Sequence, residues 1–237
     1  MRFVLLTFGI FLFSAIASPA LELSDFEAGR GRNWDAIRLL SKGDREWSMG
    51  RLQQARADID AAIRADPTLW VAIFWRARLS AEEHKWADVI RDCNAVLHQD
   101  STFVEAAVLR AGANLQLGKY AASLRDLNDS ILLHPTRLET YAIALNRRAW
   151  LRAACPDPSV RNGRAGVDDA KKACNLTKWE EANKIDTLAA AYAEAADFDS
   201  AIRFEEQAMR APDANQMSKV LQDHLAQFKQ HRPLRMK

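Results

Sequence analysis

The sequence predicts an all-α protein built from a repeated unit, and two observations lead to this fold class. Alanine is abundant, whereas the 237 residues include only 9 glycines and 7 prolines, a balance that favours helix over sheet. The chain also resembles itself at a fixed interval, since Pro67, Ser101 and Pro135 are each 34 residues apart. With 49% apolar and 27% charged residues, the chain can bury a core and is not typical of a disordered protein.

The same interval of 34 residues separates other positions that mark the boundaries of the repeat. Gly50, His84 and Gly118 follow it, and the stretches GRLQQARADIDAAIRADP and GKYAASLRDLNDSILLHP each run from such a glycine to a closing proline. This pattern resembles the tetratricopeptide repeat (TPR), a helix-turn-helix unit of that length. The resemblance implies a right-handed superhelical α-solenoid of about five TPR-like repeats with a C-terminal capping helix, because one helix pair cannot bury its own apolar face.

The resemblance also predicts where the parts of the chain begin and end. We expect a signal peptide at 1–17, an N-terminal lead-in segment at 18–35, the TPR solenoid at 36–213, and the capping helix and tail at 214–237. Within the solenoid, the repeats are predicted near 36–69, 70–103, 104–137, 142–180 and 182–213.

Small residues are expected where the two helices of a repeat cross, since close crossing leaves no room for large side chains. The TPR pattern has three such positions. In the five successive repeats they are occupied by Gly43, Ala55 and Ala62; Ala77, Val89 and Val96; Ala111, Ser123 and Ser130; Ala149, Gly166 and Ala173; and Ala189, Ala201 and Ala208.

The fourth repeat contains five extra residues, and the stretch CPDPSVRNG holds them. Pro156 and Pro158 lack amide hydrogens, so they predict that the preceding helix stops at about Cys155. Asp157 and Asn162 are predicted caps for the helix that follows. The stretch is therefore interpreted as an enlarged turn between two helices.

The three cysteines are interpreted as small apolar core residues. Cys174 lies roughly 18 Å along the next helix from the turn that holds Cys155, whereas a disulfide needs Cα atoms within roughly 7 Å. Cys93 falls at a core position of its repeat. An enzyme that uses Cys155 as a nucleophile is the alternative, but the histidines are dispersed along the chain and give it no evident base.

The sequence contains no motif of a catalytic, metal or cofactor site. CxxC, HExxH and glycine-rich phosphate loops are missing from it. We therefore expect no enzymatic activity, no catalytic residues, no metal site and no cofactor. The formal charge of 33 − 31 = +2 is too balanced to indicate nucleic-acid binding, so the expected partner is a protein or peptide.

The first twenty residues predict export from the cell. Arg2 precedes an apolar run from Phe3 to Phe13, and small residues follow, so we expect cleavage after Ala17, with Ala20 as the alternative. The apolar run is short for a membrane span, which needs about 20 residues, although an uncleaved anchor remains the other interpretation. The mature protein is thus expected to be periplasmic or secreted, without an integral membrane span.

The resemblance also implies a binding groove, because the first helices of TPR units line its concave face. Carried over by position, the groove candidates are Ile37, Leu40, Asp44, Trp47, Val71, Phe74, Arg78, Glu82, Glu105, Val108, Leu115, Ile143, Asn146 and Trp150. Their aromatic side chains suit a peptide ligand. Two alternatives stay open: Trp47 and Trp150 pack against neighbouring helices, or the protein is an accessory subunit that docks through its convex face.

The stretch NQMSKVLQDHLAQFKQH predicts one more amphipathic helix after the last repeat. Its apolar stripe consists of Met217, Val220, Leu221, Leu225 and Phe228. We expect it to cap the last repeat; a partner-binding tail is the alternative.

Overall fold

The computed structural model describes residues 33–135 and 137–236, and this part of the chain is helical and contains no β-strand. The α-helices are α1 (Trp34–Ser48), α2 (Leu52–Ala65), α3 (Trp70–Glu82), α4 (Trp86–Gln99), α5 (Val104–Gln116), α6 (Tyr120–Leu132), α7 (Leu138–Ala154), α8 (Gly163–Leu176), α9 (Ala182–Glu194), α10 (Phe198–Ala208) and α11 (Ser218–Lys229). A short 3-10 helix, Ala214–Met217, precedes α11. The all-α prediction is confirmed.

The chain divides between Leu117 and Gly118 into two compact units. Helices α1 to α5 belong to the first unit, and α6 to α11 belong to the second. In the first unit α1 packs on α2 and α3 on α4; in the second, α7 packs on α8 and α9 on α10. The predicted signal peptide and residues 18–32 of the lead-in segment lie outside the described residues.

The turns inside the first two helix pairs depend on a left-handed residue. Gly50 has a φ of 74°, and His84, in the same register one repeat later, has a φ of 56°. Glycine adopts this conformation without steric cost, whereas histidine does so less readily. The regular spacing of these residues in the sequence thus marks the points where the chain reverses.

The small residues predicted at the helix crossings are all buried. In the described structure this holds for Gly43, Ala55, Ala62, Ala77, Val89, Val96, Ala111, Ser123, Ser130, Ala149, Gly166, Ala173, Ala189, Ala201 and Ala208. A methyl group added at Gly43 would lie 3.0 Å from Cγ1 of Ile59 and 3.2 Å from the carbonyl oxygen of Ala55. The close approach of α1 and α2 therefore favours glycine at position 43. A larger residue there would require Ile59 and the backbone of α2 to move.

The enlarged turn of the fourth repeat has the predicted limits. Helix α7 ends at Ala154 with Cys155 as its C-cap, and the Asn162 side chain caps α8 by accepting a hydrogen bond from the Ala165 amide at 3.1 Å. The expectation for Asp157 is wrong. Its carboxylate accepts from the amide and hydroxyl of Ser159 at 2.9 and 2.7 Å, so it stabilises the turn itself and does not reach the N-terminus of α8.

An ion pair joins the two helices in three of the repeats and follows the repeat register. Lys42 of α1 binds Asp58 of α2 at 2.9 Å, and 34 positions later Arg76 of α3 binds Asp92 of α4 at 2.7 Å. In the fourth repeat, Nη2 of Arg148 donates to Asp169 at 2.8 Å. Each of these aspartates is buried, and the cation from the first helix compensates the cost of removing its charge from water.

Helix α11 packs against α10, as the prediction of a capping helix requires. Leu221 and Phe228 are fully buried, and Val220 and Leu225 lie at the margin of the contact. The chain then turns back, since the Met236 amide donates to the Ala154 carbonyl at 2.8 Å. Helix α11 thus covers the last helix pair, and the residues after it return to the C-terminal end of α7.

Candidate functional site

The first unit presents an aromatic and charged patch on its first helices, which we call the Trp47 patch: Asp44 and Trp47 of α1, and Trp75, Arg78 and Glu82 of α3. Asp44 and Trp47 are one helical turn apart on α1, and Trp75, Arg78 and Glu82 follow one another at spacings of three and four on α3. Residues at these spacings lie on the same side of a helix. The patch is therefore formed by one side of α1 and one side of α3.

The Trp47 indole is the centre of this patch. Its Nε1 donates to both carboxylate oxygens of Glu82 at 3.0 Å, and the guanidinium carbon of Arg78 lies 4.9 Å from the ring centroid. The Trp75 ring meets it edge to face with centroids 6.4 Å apart. These contacts fix the indole while leaving it only half-buried, so it presents a pre-positioned aromatic surface.

The Trp47 patch contains more negatively charged side chains than positively charged ones. Burial lowers the pKa of Arg78, and the nearby carboxylates of Glu82 and Asp44 oppose that effect. Arg78 remains charged at neutral pH, because an arginine pKa starts far above neutrality. One guanidinium with two carboxylates gives the patch a net charge of about −1.

Many of the other predicted groove residues are core residues. Buried side chains among them are Leu40, Val71, Phe74, Val108, Leu115, Ile143, Asn146 and Trp150, whereas Ile37 and Glu105 are half-buried. Phe74, for example, is 2% exposed and packs edge to face on Phe103 with centroids 4.8 Å apart. A buried side chain gives a ligand little surface, because the neighbouring elements already cover it. Trp150 packs internally, since it stacks on the His224 ring at 6.3 Å.

The three cysteines are buried and free, as predicted. Burial raises the pKa of Cys174 to about 12 and also raises the pKa of Cys155. A nucleophilic cysteine needs the opposite shift, because the thiolate is the reactive form. The environment of Cys155 therefore argues against the alternative in which this residue is a catalytic nucleophile.

The second unit contains a polar cluster that the sequence analysis missed. Asp186 of α9, Glu205 of α10 and His224 of α11 are all buried, and one potential ligand atom from each lies within 4.8 Å of the others. Nδ1 of His224 is 2.6 Å from Oδ1 of Asp186. The three residues come from three helices, so no local motif could have indicated the cluster; the only available signal was charged residues at core positions of the fifth repeat.

Two electrostatic effects act on this cluster. Burial raises the pKa of Glu205 well above its usual range, and the charge of Asp186 adds to the effect. Burial lowers the pKa of His224, but the charge of Asp186 and the contact with it outweigh burial, and the net shift is upward. The group most affected is Glu205, because burial and the negative charge of Asp186 both disfavour its ionised form.

Comparison with solved structures identifies the architecture. The chain superposes with a TM-score of 0.63 on a tetratricopeptide repeat protein from Parabacteroides merdae, at 14% identity over 84% of this chain and 73% of the other. The fold is that of the tetratricopeptide repeat.

Two further TPR-type neighbours agree with this assignment. A TPR protein from Thermus thermophilus gives a TM-score of 0.57 at 14% identity, with 82% of this chain and 99% of that chain covered. A MamA fragment from Desulfovibrio magneticus gives 0.59 at 15% identity, with 74% and 94% covered. At this identity the likeness concerns the TPR fold alone.

No protein-family model matches the chain, and no curated protein sequence matches it. The TPR fold is thus recognisable by its geometry and by the spacing of its small residues. Within residues 33–135 and 137–236, none of the TPR helices combines the length and hydropathy that a bilayer crossing demands.

Proposed function

We propose that this chain is a non-catalytic interaction module that binds a peptide segment of a partner protein at the Trp47 patch. The TPR fold supports the proposal, since such solenoids present extended surfaces for binding. The observation that carries it is the half-buried Trp47 indole, held between Trp75, Arg78 and Glu82 on the side of the first helices that the repeat pattern assigns to the groove.

The chemistry of the patch defines the preferred ligand. An indole face binds apolar and cationic side chains, and the excess of carboxylates around Arg78 favours a positive charge over a negative one. The expected partner segment therefore carries a lysine or arginine beside an apolar side chain. Tryptophan and arginine are also the residue types that most often dominate the binding energy of an interface.

The alternative is an accessory subunit that docks through its second helices. Trp86 provides a matched position for this comparison, because it is also a half-buried tryptophan of the first unit but starts the second helix of its pair, α4. Its ring packs edge to face on His84 with centroids 5.2 Å apart. A partner on the second helices would contact the neighbourhood of Trp86 and leave Trp47 free of contact.

A random peptide library displayed on phage tests the proposal with the full chain as bait. Enriched peptides are expected to contain a basic residue next to an apolar one. The Trp47→Ala variant should bind a synthetic enriched peptide at least about 10-fold more weakly, a loss of about 1.4 kcal/mol, as measured by calorimetric titration. Trp86→Ala should bind it with unchanged affinity.

Circular dichroism must show that both variants keep the helicity of the parent chain. Failure to enrich any peptide, or an affinity loss in Trp86→Ala but not in Trp47→Ala, would reject binding at the Trp47 patch. The second of these results would support docking through the second helices.

A further inference from the structure

The buried cluster of Asp186, Glu205 and His224 is anomalous within the repeat series. Glu205 occupies a position that the other repeats fill with fully buried apolar or small side chains, namely Ile59, Cys93, Leu127 and Ala170. Asp186 occupies the register of Leu40, Phe74, Val108 and Asn146. Two carboxyl groups thus enter the interior at positions where the other four repeats have no carboxyl group and no basic side chain.

Burying two carboxylates is costly unless other groups compensate their charges. Asp186 has a partner in His224, whose Nδ1 lies 2.6 Å from its Oδ1. Glu205 is 0% exposed, and neither of its oxygens has a hydrogen-bond donor among the described residues. The neighbouring Asp186 carboxylate cannot supply one, since an ionised carboxylate only accepts. Glu205 is therefore a buried acid without a donor, and a hydrogen bond between it and Asp186 needs a proton on one of the two carboxyl groups.

The spacing and chemistry of the three side chains match those of a metal site. Their potential ligand atoms lie within 4.8 Å of one another, whereas ligands on a tetrahedral zinc ion are roughly 3.4 Å apart. Metal binding would require side-chain rotations that bring the more distant ligand atoms closer together and move Nδ1 of His224 away from Oδ1 of Asp186, which lie 2.6 Å apart. With the imidazole neutral and both carboxyl groups ionised, as metal binding requires, the three side chains carry a summed charge of −2, which a divalent cation neutralises.

We propose that Asp186, Glu205 and His224 bind a divalent transition-metal ion, with Zn²⁺ as the best fit. Zinc accepts imidazole and carboxylate ligands and tolerates low coordination numbers, whereas Mg²⁺ requires six oxygen ligands in a nearly ideal octahedron. Asn183 lies one turn before Asp186 on α9, and its Oδ1 is also buried without a hydrogen-bond partner. A further oxygen donor is therefore present on the same helix.

The surroundings of His224 suit a structural metal ion. The Trp150 and Phe228 rings lie 6.3 Å from the imidazole, so aromatic side chains flank the site. Since the three ligands belong to α9, α10 and α11, a bound ion joins the last helix pair to the capping helix. Metal binding at such a buried site contributes directly to the free energy of folding.

Metal binding can be measured on the full chain after chelator treatment in denaturant and refolding with or without Zn²⁺. We expect one Zn²⁺ per chain to survive gel filtration, as quantified by elemental mass spectrometry. Zn²⁺ at about 100 times its Kd should raise the Tm by roughly 5–10 °C, and Mg²⁺ should not. Substitution with Co²⁺ should give the visible absorption bands of a four-coordinate site.

Glu205→Gln preserves the shape of the side chain and removes its charge, so this variant should fold without metal. It should bind Zn²⁺ at least about 100-fold more weakly and lose the Zn²⁺-dependent rise in Tm. Glu206→Gln, at the adjacent half-buried position, is the matched control and should behave like the parent chain.

The competing explanation is that a protonated Glu205 shares its proton with Asp186 and no ion binds. In that case the parent chain would retain no more zinc than Glu205→Gln, and Zn²⁺ would leave its Tm unchanged. Either result overturns the proposal. Zinc retained equally by the parent and by Glu205→Gln would assign the ion to other side chains and would also reject this site.

Discussion

At the scale of single residues, close backbone contact explains why particular positions are small. A methyl group added at Gly163, the first residue of α8, would lie 2.5 Å from the Ala195 amide nitrogen and 2.7 Å from the Glu194 carbonyl carbon. These are backbone atoms that cannot rotate away. Gly163 lies outside the repeating set of crossing positions, so the repeat pattern gave no indication of it.

We expect Gly163→Ala to destabilise the protein by about 1–3 kcal/mol, because relief of the clash must separate the start of α8 from the end of α9. Urea unfolding followed by circular dichroism measures the change. Gly166→Ala is the control, since its added methyl would lie 3.3 Å from Cβ of Ala191, a contact that small shifts can relieve. That variant should change stability by less than about 1 kcal/mol; equal losses in both would contradict the explanation.

At the scale of helices and their pairs, a buried ion pair recurs in the register of the first, second and fourth repeats. Arg76 binds Asp92 through Nε at 2.7 Å and Nη2 at 2.9 Å, and the Asp92 side chain is 1% exposed. Arg110 and Asp126 occupy the same register in the third repeat, and Arg148 and Asp169 occupy it in the fourth. The five extra residues of the enlarged turn leave this pairing intact, since they are accommodated between α7 and α8.

Asp92→Ala should destabilise the protein by at least about 2 kcal/mol, because it leaves the partly buried Arg76 without its bidentate partner. Thermal and urea unfolding measure the loss. The control is Asp223→Ala, which removes a pair with Lys219 that is exposed on both sides and should cost less than about 1 kcal/mol. If both substitutions have equal effects, the buried pair is not a determinant of helix pairing.

At the scale of the whole molecule, the chain ends its repeat series by covering the last repeat. Phe228 of α11 is fully buried, whereas Leu225 of the same helix is only half-buried. A terminal repeat without such a cover would expose an apolar face to water. The structure thus favours the capping function of α11 over the alternative of a partner-binding tail.

Phe228→Ala should destabilise the protein by about 3–5 kcal/mol, and Leu225→Ala by distinctly less, because only the first leaves a large cavity under α11. Deletion of 214–237 should cause aggregation, which gel filtration detects. An unchanged melting temperature and unchanged solubility after the deletion would instead indicate a tail that does not contribute to folding. Export through the predicted signal peptide stays a prediction, which N-terminal sequencing of the mature protein can check.

The architecture was predictable from the sequence alone: the helix-turn-helix repeats, the enlarged turn after Cys155, the capping helix and the burial of the small residues. These features are periodic or local. The residue type that fits each position is therefore determined by neighbours at a fixed spacing along the chain. The groove stays a prediction. Phe74 and Trp150 are buried, and their apolar character is the same whether such side chains line a surface or fill a core.

Helix packing, which the sequence pattern does not reveal, sets which of these side chains remain accessible and which charged residues come into contact. The Trp47 patch depends on how α1 and α3 lie beside each other, and the buried cluster unites Asp186, Glu205 and His224 from three helices. Convergence of distant residues is a property of packing rather than of local spacing. For this reason the pattern of the repeats could predict the fold, but it could not predict which side chains from different helices the fold brings into contact.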